Sequence, residues 1–107
     1  MTDPVFPLQP TLVESSHRGV TLHYPGKKWF ASMDMAVLRT VRLLEWREGL
    51  YWQLVSAGNE LVVPCGIPGE SAMRRELQAL PGFQIDLFFA FLDERSDLAP
   101  PLTLWQK

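Results

Sequence analysis

The sequence predicts an α+β fold in which a bent antiparallel β-sheet, laid down as a meander, is covered by one or two C-terminal helices. Three observations predict it. Between Arg39 and Cys65, three runs of β-branched, aromatic and leucine residues are separated by the turn-forming clusters Arg47-Glu48-Gly49 and Ser56-Ala57-Gly58-Asn59. After Pro68-Gly69 the apolar residues change to a helical spacing, Met73, Leu77 and Leu80. Both faces of the predicted sheet carry apolar side chains, so another part of the chain must pack across it.

At 107 residues the chain is expected to be a single domain, residues 1–107, with an extended N-terminal arm (1–14), a globular body (15–93) and a proline-rich apolar tail (94–107). The arm has three prolines around Val5, Phe6 and Leu8, which exclude a helix or a central strand there. From Thr11 to Tyr24 the pattern fits one or two strands, broken near Glu14-Ser15-Ser16. Gly19 to Tyr24 alternates better, and Pro25-Gly26 ends it as a turn. Lys28 to Met33 then places Trp29, Ala31 and Met33 on one side, as a strand pairing back across that turn would.

Asp34 to Trp46 reads two ways. Asp34 caps a helix if the good helix formers after it continue to Glu45, with Val37, Val41 and Leu44 on one face. Alternatively a bend or single helical turn at Asp34 to Leu38 leads into a strand, which suits Thr40, Val41 and Trp46 and gives Leu50 to Val55 a hairpin partner. The second reading is favoured. Along the meander, Leu50, Trp52 and Leu54 share a face, as do Leu61 and Val63, and Val41 and Leu43 share theirs with Glu45. Gly49 is expected to take the left-handed conformation that closes a three-residue loop with a bulge, and Gly58-Asn59 offers the same freedom at the next turn.

A helix is predicted from Glu70 or Ser71, ended by Leu80-Pro81-Gly82. The run Ile85 to Leu92 matches helix and strand templates almost equally, and helix is preferred. Its three phenylalanines, two leucines and isoleucine make it the expected main cover of the sheet. The tail, Leu98 to Trp105, is extended by its prolines and apolar enough to dock on the body or on another chain.

An apolar fraction of 47% and a charged fraction of 21% are those of a globular protein, which argues against disorder of the body. Ten basic against twelve acidic residues, with no dense Lys/Arg run, disfavour nucleic acid as a partner. The lone Cys65 excludes an internal disulfide and fits a reducing compartment. The first ten residues lack the basic and apolar regions of a signal peptide, and no apolar run is long enough for membrane insertion, so a cytoplasmic location is expected.

No Walker loop, dinucleotide fingerprint, nucleophile elbow or HExxH motif occurs, so neither an enzyme nor a cofactor or metal site is expected. Gly66 and Gly69 precede a helix N-terminus, but Glu70 sits where an anion would bind, which favours a plain turn into the helix. His17 and His23 would share a strand face and invite comparison with Cys65 as base and nucleophile, but no third member is in view. Glu45 needs a partner if buried and is better read at a rim. Of the four tryptophans, Trp105 lies near the terminus among prolines and either anchors the tail or meets a partner.

In this pattern the chain resembles small bacterial pleckstrin-homology-like domains, in which a strongly bent antiparallel sheet is closed by a C-terminal helix. The likeness rests on Leu38-x-x-Val41, the hairpin residues Leu50-Tyr51 and Leu54, the strand Leu61-Val62-Val63-Pro64, then Gly69 and the helix with Leu77 and Leu80, and spans roughly residues 17 to 92. The resemblance implies an interaction module with no specific ligand. The expected function is therefore a non-enzymatic cytoplasmic adaptor that binds another protein or itself as a homodimer, through a surface including Phe6, Leu102 and Trp105. The alternative is a small-ligand binder with an apolar pocket between the sheet and the Phe-rich segment, its polar groups supplied by Glu45, Tyr51 and His23.

Overall fold

A computed structural model describes residues 9–25, 30–47, 49–93 and 99–107. Among these, strands β1 (Leu12–Ser15), β2 (Gly19–His23) and β3 (Phe30–Asp34) form one antiparallel sheet in the order β1-β2-β3. Strands β4 (Thr40–Trp46), β5 (Gly49–Val55), β6 (Glu60–Pro64) and β7 (Leu102–Gln106) form a second, in the order β6-β5-β4-β7. The helices α1 (Glu70–Gln78) and α2 (Ile85–Leu92) lie between β6 and β7 in the chain. The α+β class, the meander and the late helices are as the sequence predicts. None of these helices is long and apolar enough to cross a membrane.

Asp34 to Trp46 resolves into a short 3-10 turn, Met35–Val37, followed by β4. The β-branched residues win over the helix formers because β4 has two antiparallel partners, β5 along its whole length and β7 beside its first half. Alternation is kept: Val41, Leu43, Trp52, Leu54, Leu61 and Val63 all point inward and are buried. They share one core with Val13, Val20, Leu22 and Met33 from the first sheet, Met73 and Leu77 from α1, and Phe88 from α2. A buried side chain of this size contributes roughly 1.5–3 kcal/mol.

The two sheets meet where β3 lies alongside β6, and there the Asn59 side-chain amide donates to the Ser32 carbonyl at 3.2 Å. On the other side α1 packs on β1 and α2 reaches β7, so the helices close the gap between the sheets. Gly69, with φ of 91°, lets the start of α1 press against β1: a Cβ there would lie 1.8 Å from the Val13 carbonyl oxygen, while the Val13 N–H donates to the Pro68 carbonyl at 3.0 Å.

Several expectations are corrected. The β4–β5 hairpin has two residues between the paired Trp46 and Gly49, and the left-handed residue is Arg47, with φ of 50°, not Gly49. Gly49 serves a steric need instead, because a Cβ would come within 3.3 Å of the Tyr51 ring. The tail expected only to be extended contains β7, whereas β1 and β2 lie within the stretch Thr11 to Tyr24 predicted as one or two strands. In β7 the register slips against Val41/Arg42, so Leu104 and Trp105, successive residues, are both buried. The Phe-rich helix is not the main cover: a helix apolar all round buries only one side, and Phe88 alone of its residues is fully inside, with Met73 and Leu77 of α1 beside it.

Candidate functional site

Of the residues expected on a free interaction surface, the two that are described do not form one. Leu102 and Trp105 are buried within their own chain, and the Trp105 indole N–H donates to the Pro81 carbonyl at 2.8 Å, fixing β7 to the link between the helices. The Gln84 N–H donates to the Leu104 carbonyl at 2.8 Å on the other edge of β7. The tail thus docks on the body, because its one unpaired edge and its apolar side chains are both taken up there. Phe6 lies outside the described residues.

The three polar groups expected in a pocket are dispersed. Glu45 shares the inward face of β4 but stands at the strand end, exposed to water. Tyr51 is buried on the opposite face from Trp52, where its ring meets Trp46 edge-on at 6.3 Å and its hydroxyl accepts from the Gln9 amide at 3.3 Å. His23 lies on the first sheet, its Nε2 at 2.6 Å from Glu14 Oε1, with Leu12 and Phe30 as its cross-strand neighbours. The strand alternation that sends Trp52 inward sends Tyr51 outward. The space between the second sheet and α2 holds Trp52, Phe83 and Phe88, whose rings pack at centroid distances of 6.5 Å and 5.2 Å from Trp52.

A buried polar cluster does lie under α1, on residues the sequence reading treated differently. Glu70 is only 7% exposed. Its Oε2 accepts from the Trp52 indole N–H at 2.8 Å, and its Oε1 accepts from the Gly66 N–H at 3.3 Å. Arg74, one turn on, stands 3.9 Å from the same carboxylate and lies over the Phe88 ring at 5.6 Å. Glu70 thus occupies the glycine-loop amide that an outside anion would have needed, as its charge at the helix start suggests. That it is buried is legible in its spacing, because Glu70, Met73 and Leu77 recur at i, i+3, i+7 on the inward stripe.

Beside this cluster, burial and then the Glu70 carboxylate push the Cys65 thiol up to about 12, against a smaller opposing effect of Arg74. A thiol held protonated at neutral pH is a poor nucleophile, and His23, engaged by Glu14, is on the other sheet. No group of three His, Cys, Asp or Glu side chains is arranged to hold a metal ion among the described residues.

The exposed counterpart is the outer side of α2. Phe89 is 50% exposed and Leu92 45%. Asp86, Phe89, Ala90 and Asp93, at i, i+3, i+4 and i+7, line a shallow depression of about 330 Å³, with a carboxylate at each end about 10 Å apart along the axis. Phe88 holds this helix to the core, its ring 5.6 Å from that of Phe89, so the outer aromatic sits on a fixed base. No family model matches the chain, and comparison with curated proteins and with solved structures found no match to it.

Proposed function

We propose that this chain is a non-enzymatic, cytoplasmic protein-interaction module that engages a partner through the outer side of α2. The observation that carries the reading is the exposure of Phe89 and Leu92, one turn apart, on a helix anchored from behind by the buried Phe88. Two large apolar side chains offered side by side on a rigid element have the form of a binding hot spot. The partner that fits is a protein segment with an apolar side chain beside a basic residue, matched to a strip with Asp86 at its start.

The accompanying scaffold reading is pleckstrin-homology-like, supported by the two antiparallel sheets around one core with helices across an opening. In this chain a further strand, β7, follows the helices. The small-ligand alternative loses its support with the dispersal of Glu45, Tyr51 and His23.

The test is site-specific photocrosslinking in the host that makes the protein, with the reactive residue at Phe89 and, as control, at the exposed Ser71 of α1. One defined protein crosslinked at Phe89 and not at Ser71, and lost in D86K, supports the reading; equal labelling at both positions overturns it, and a crosslinked second copy replaces the partner. The variants stay interpretable because F89A is expected to change stability by no more than about 0.5 kcal/mol, as for exposed positions generally. F88A, by contrast, is expected to cost about 3–5 kcal/mol.

A further inference from the structure

We infer that the depression on the outer side of α2 takes an arginine side chain of the partner, its guanidinium stacked on the Phe89 ring and bonded to the Asp86 carboxylate. The inference rests on the interaction reading above and names the group recognised there.

The inner side of the same helix holds the arrangement complete. There the Arg74 guanidinium lies 5.6 Å from the centre of the Phe88 ring and 3.9 Å from the carboxylate of Glu70, which stands four residues before it on α1. The set is an acid, a ring, and an arginine at i+4 from the acid. The outer side has the first two. Asp86 and Phe89 are three residues apart on one helix, which brings their Cβ atoms within about 5–6 Å, and helical aromatic side chains lean toward the N-terminus, the side on which Asp86 lies. The third member is lacking, because the position four after Asp86 is Ala90. The depression of about 330 Å³ is lined by these three residues with Asp93.

Both halves of the pair are open to an incoming cation. Phe89 is 50% exposed, and Asp86 is exposed and makes no ion pair or side-chain hydrogen bond among the described residues. A ring beside a carboxylate calls for a cation that offers a flat face to the one and an edge of N–H donors to the other. A guanidinium does both and is weakly hydrated, whereas an ammonium is a compact, strongly hydrated charge with no face to stack. Leu92, three residues beyond Phe89 and also exposed, is placed to receive the partner's neighbouring apolar side chain.

The experiment is an amide-resolved NMR titration of the whole chain with three capped dipeptides at matched ionic strength: leucyl-arginine, leucyl-lysine and leucyl-citrulline, the last an uncharged copy of the first. Leucyl-arginine is expected to give saturable shifts centred on α2 and to bind at least about threefold tighter than either of the others. D86N and F89L, at exposed positions, should each remove that preference, and A90R, which supplies a guanidinium at i+4 from Asp86, should abolish binding. Equal binding of the three dipeptides, a preference unchanged in D86N and F89L, or shifts centred outside α2 would overturn the inference. Any of these overturns it even where the crosslink at Phe89 captures a protein, so its failure and that of the interaction reading are told apart.

Discussion

Three glycines with left-handed backbones allow the closure of α1 on β1 to be measured. Gly66, Gly69 and Gly82 have φ of 94°, 91° and 87°, so replacing any of them by alanine incurs a similar backbone cost, about 1–2 kcal/mol. Only their surroundings differ. A Cβ at Gly66 or Gly82 meets nothing within 4 Å, whereas at Gly69 it lies 1.8 Å from the Val13 carbonyl oxygen and 2.9 Å from its carbon. Both atoms are backbone, so no side-chain rotation relieves the overlap. Reaching an ordinary contact of 3.4 Å requires β1 and the start of α1 to part by about 1.6 Å. That breaks the Val13 to Pro68 bond, about 0.5–1.5 kcal/mol, and loosens the packing of Val13 on α1 by a further ~1–2 kcal/mol. G69A should therefore lose about 3–5 kcal/mol in urea denaturation followed by tryptophan fluorescence, and G66A and G82A about 1–2 kcal/mol each at an unchanged m-value. Equal losses in all three variants would refute the close approach.

Two other consequences of the cluster under α1 are measurable. E70A removes the acceptor of the buried Trp52 indole and of the Gly66 amide, so a loss of about 2–3 kcal/mol is expected, with a red shift of tryptophan emission; E70Q keeps an acceptor and should lose less, and an E70A loss within about 0.5 kcal/mol would show the bonds to be inconsequential. The Cys65 thiol ionises at about 12 when folded against 9.0 in the unfolded chain, so the unfolded state alone loses this proton as pH rises above 9. The stabilisation is complete below pH 9 and is lost on the way to 12, at about 1.4 kcal/mol per pH unit. Between pH 8 and 10 the wild type should lose about 1.4 kcal/mol more than C65A, and native alkylation at pH 8 should run roughly a thousandfold slower than in denaturant. Parallel pH profiles for wild type and C65A would contradict the assignment.

What the sequence made legible is what local pattern controls. The meander strands, the turn at Met35–Val37 and the start of α1 follow from alternation, turn chemistry and helical spacing within a few residues of each other. What it left hidden depends on partners distant in the chain. The strand β7 pairs with β4, some sixty residues earlier, and its bulge buries Leu104 and Trp105 in succession, so it shows no alternation to read. The prolines before it point to a loose tail instead. Gly49 illustrates the same limit at short range: its composition signals a left-handed turn residue, but the position is set by the Tyr51 ring and the Trp46 carbonyl, and Arg47 takes the positive φ. The candidate site divides likewise. Glu70 stands on a readable stripe with Met73 and Leu77, whereas the docking of Trp105 on the Pro81 carbonyl requires the β4–β7 pairing.

The sheet edges bear on how a partner could attach. Strand addition needs an open row of backbone donors and acceptors along an edge. Here three of the four outer edges are already bonded near the middle to a group outside the sheets: the Val13 N–H of β1 to Pro68, the Ser32 carbonyl of β3 to Asn59, and the Leu104 carbonyl of β7 to Gln84. Because these strands have only four or five residues, one such bond in mid-strand leaves too short a free run on either side to hold an added strand in register. Strand addition is therefore disfavoured at these three edges, and the proposed partner is better sought on side-chain faces. The first sheet offers Leu12, His23 and Phe30 in one cross-strand row, but the His23–Glu14 hydrogen bond places a polar pair in its centre, whereas α2 presents Phe89 and Leu92 without a charged group between them. Desolvating a polar pair that includes a carboxylate opposes binding, and covering two adjacent apolar side chains favours it. Of the two faces, the helix is the one on which a partner gains most.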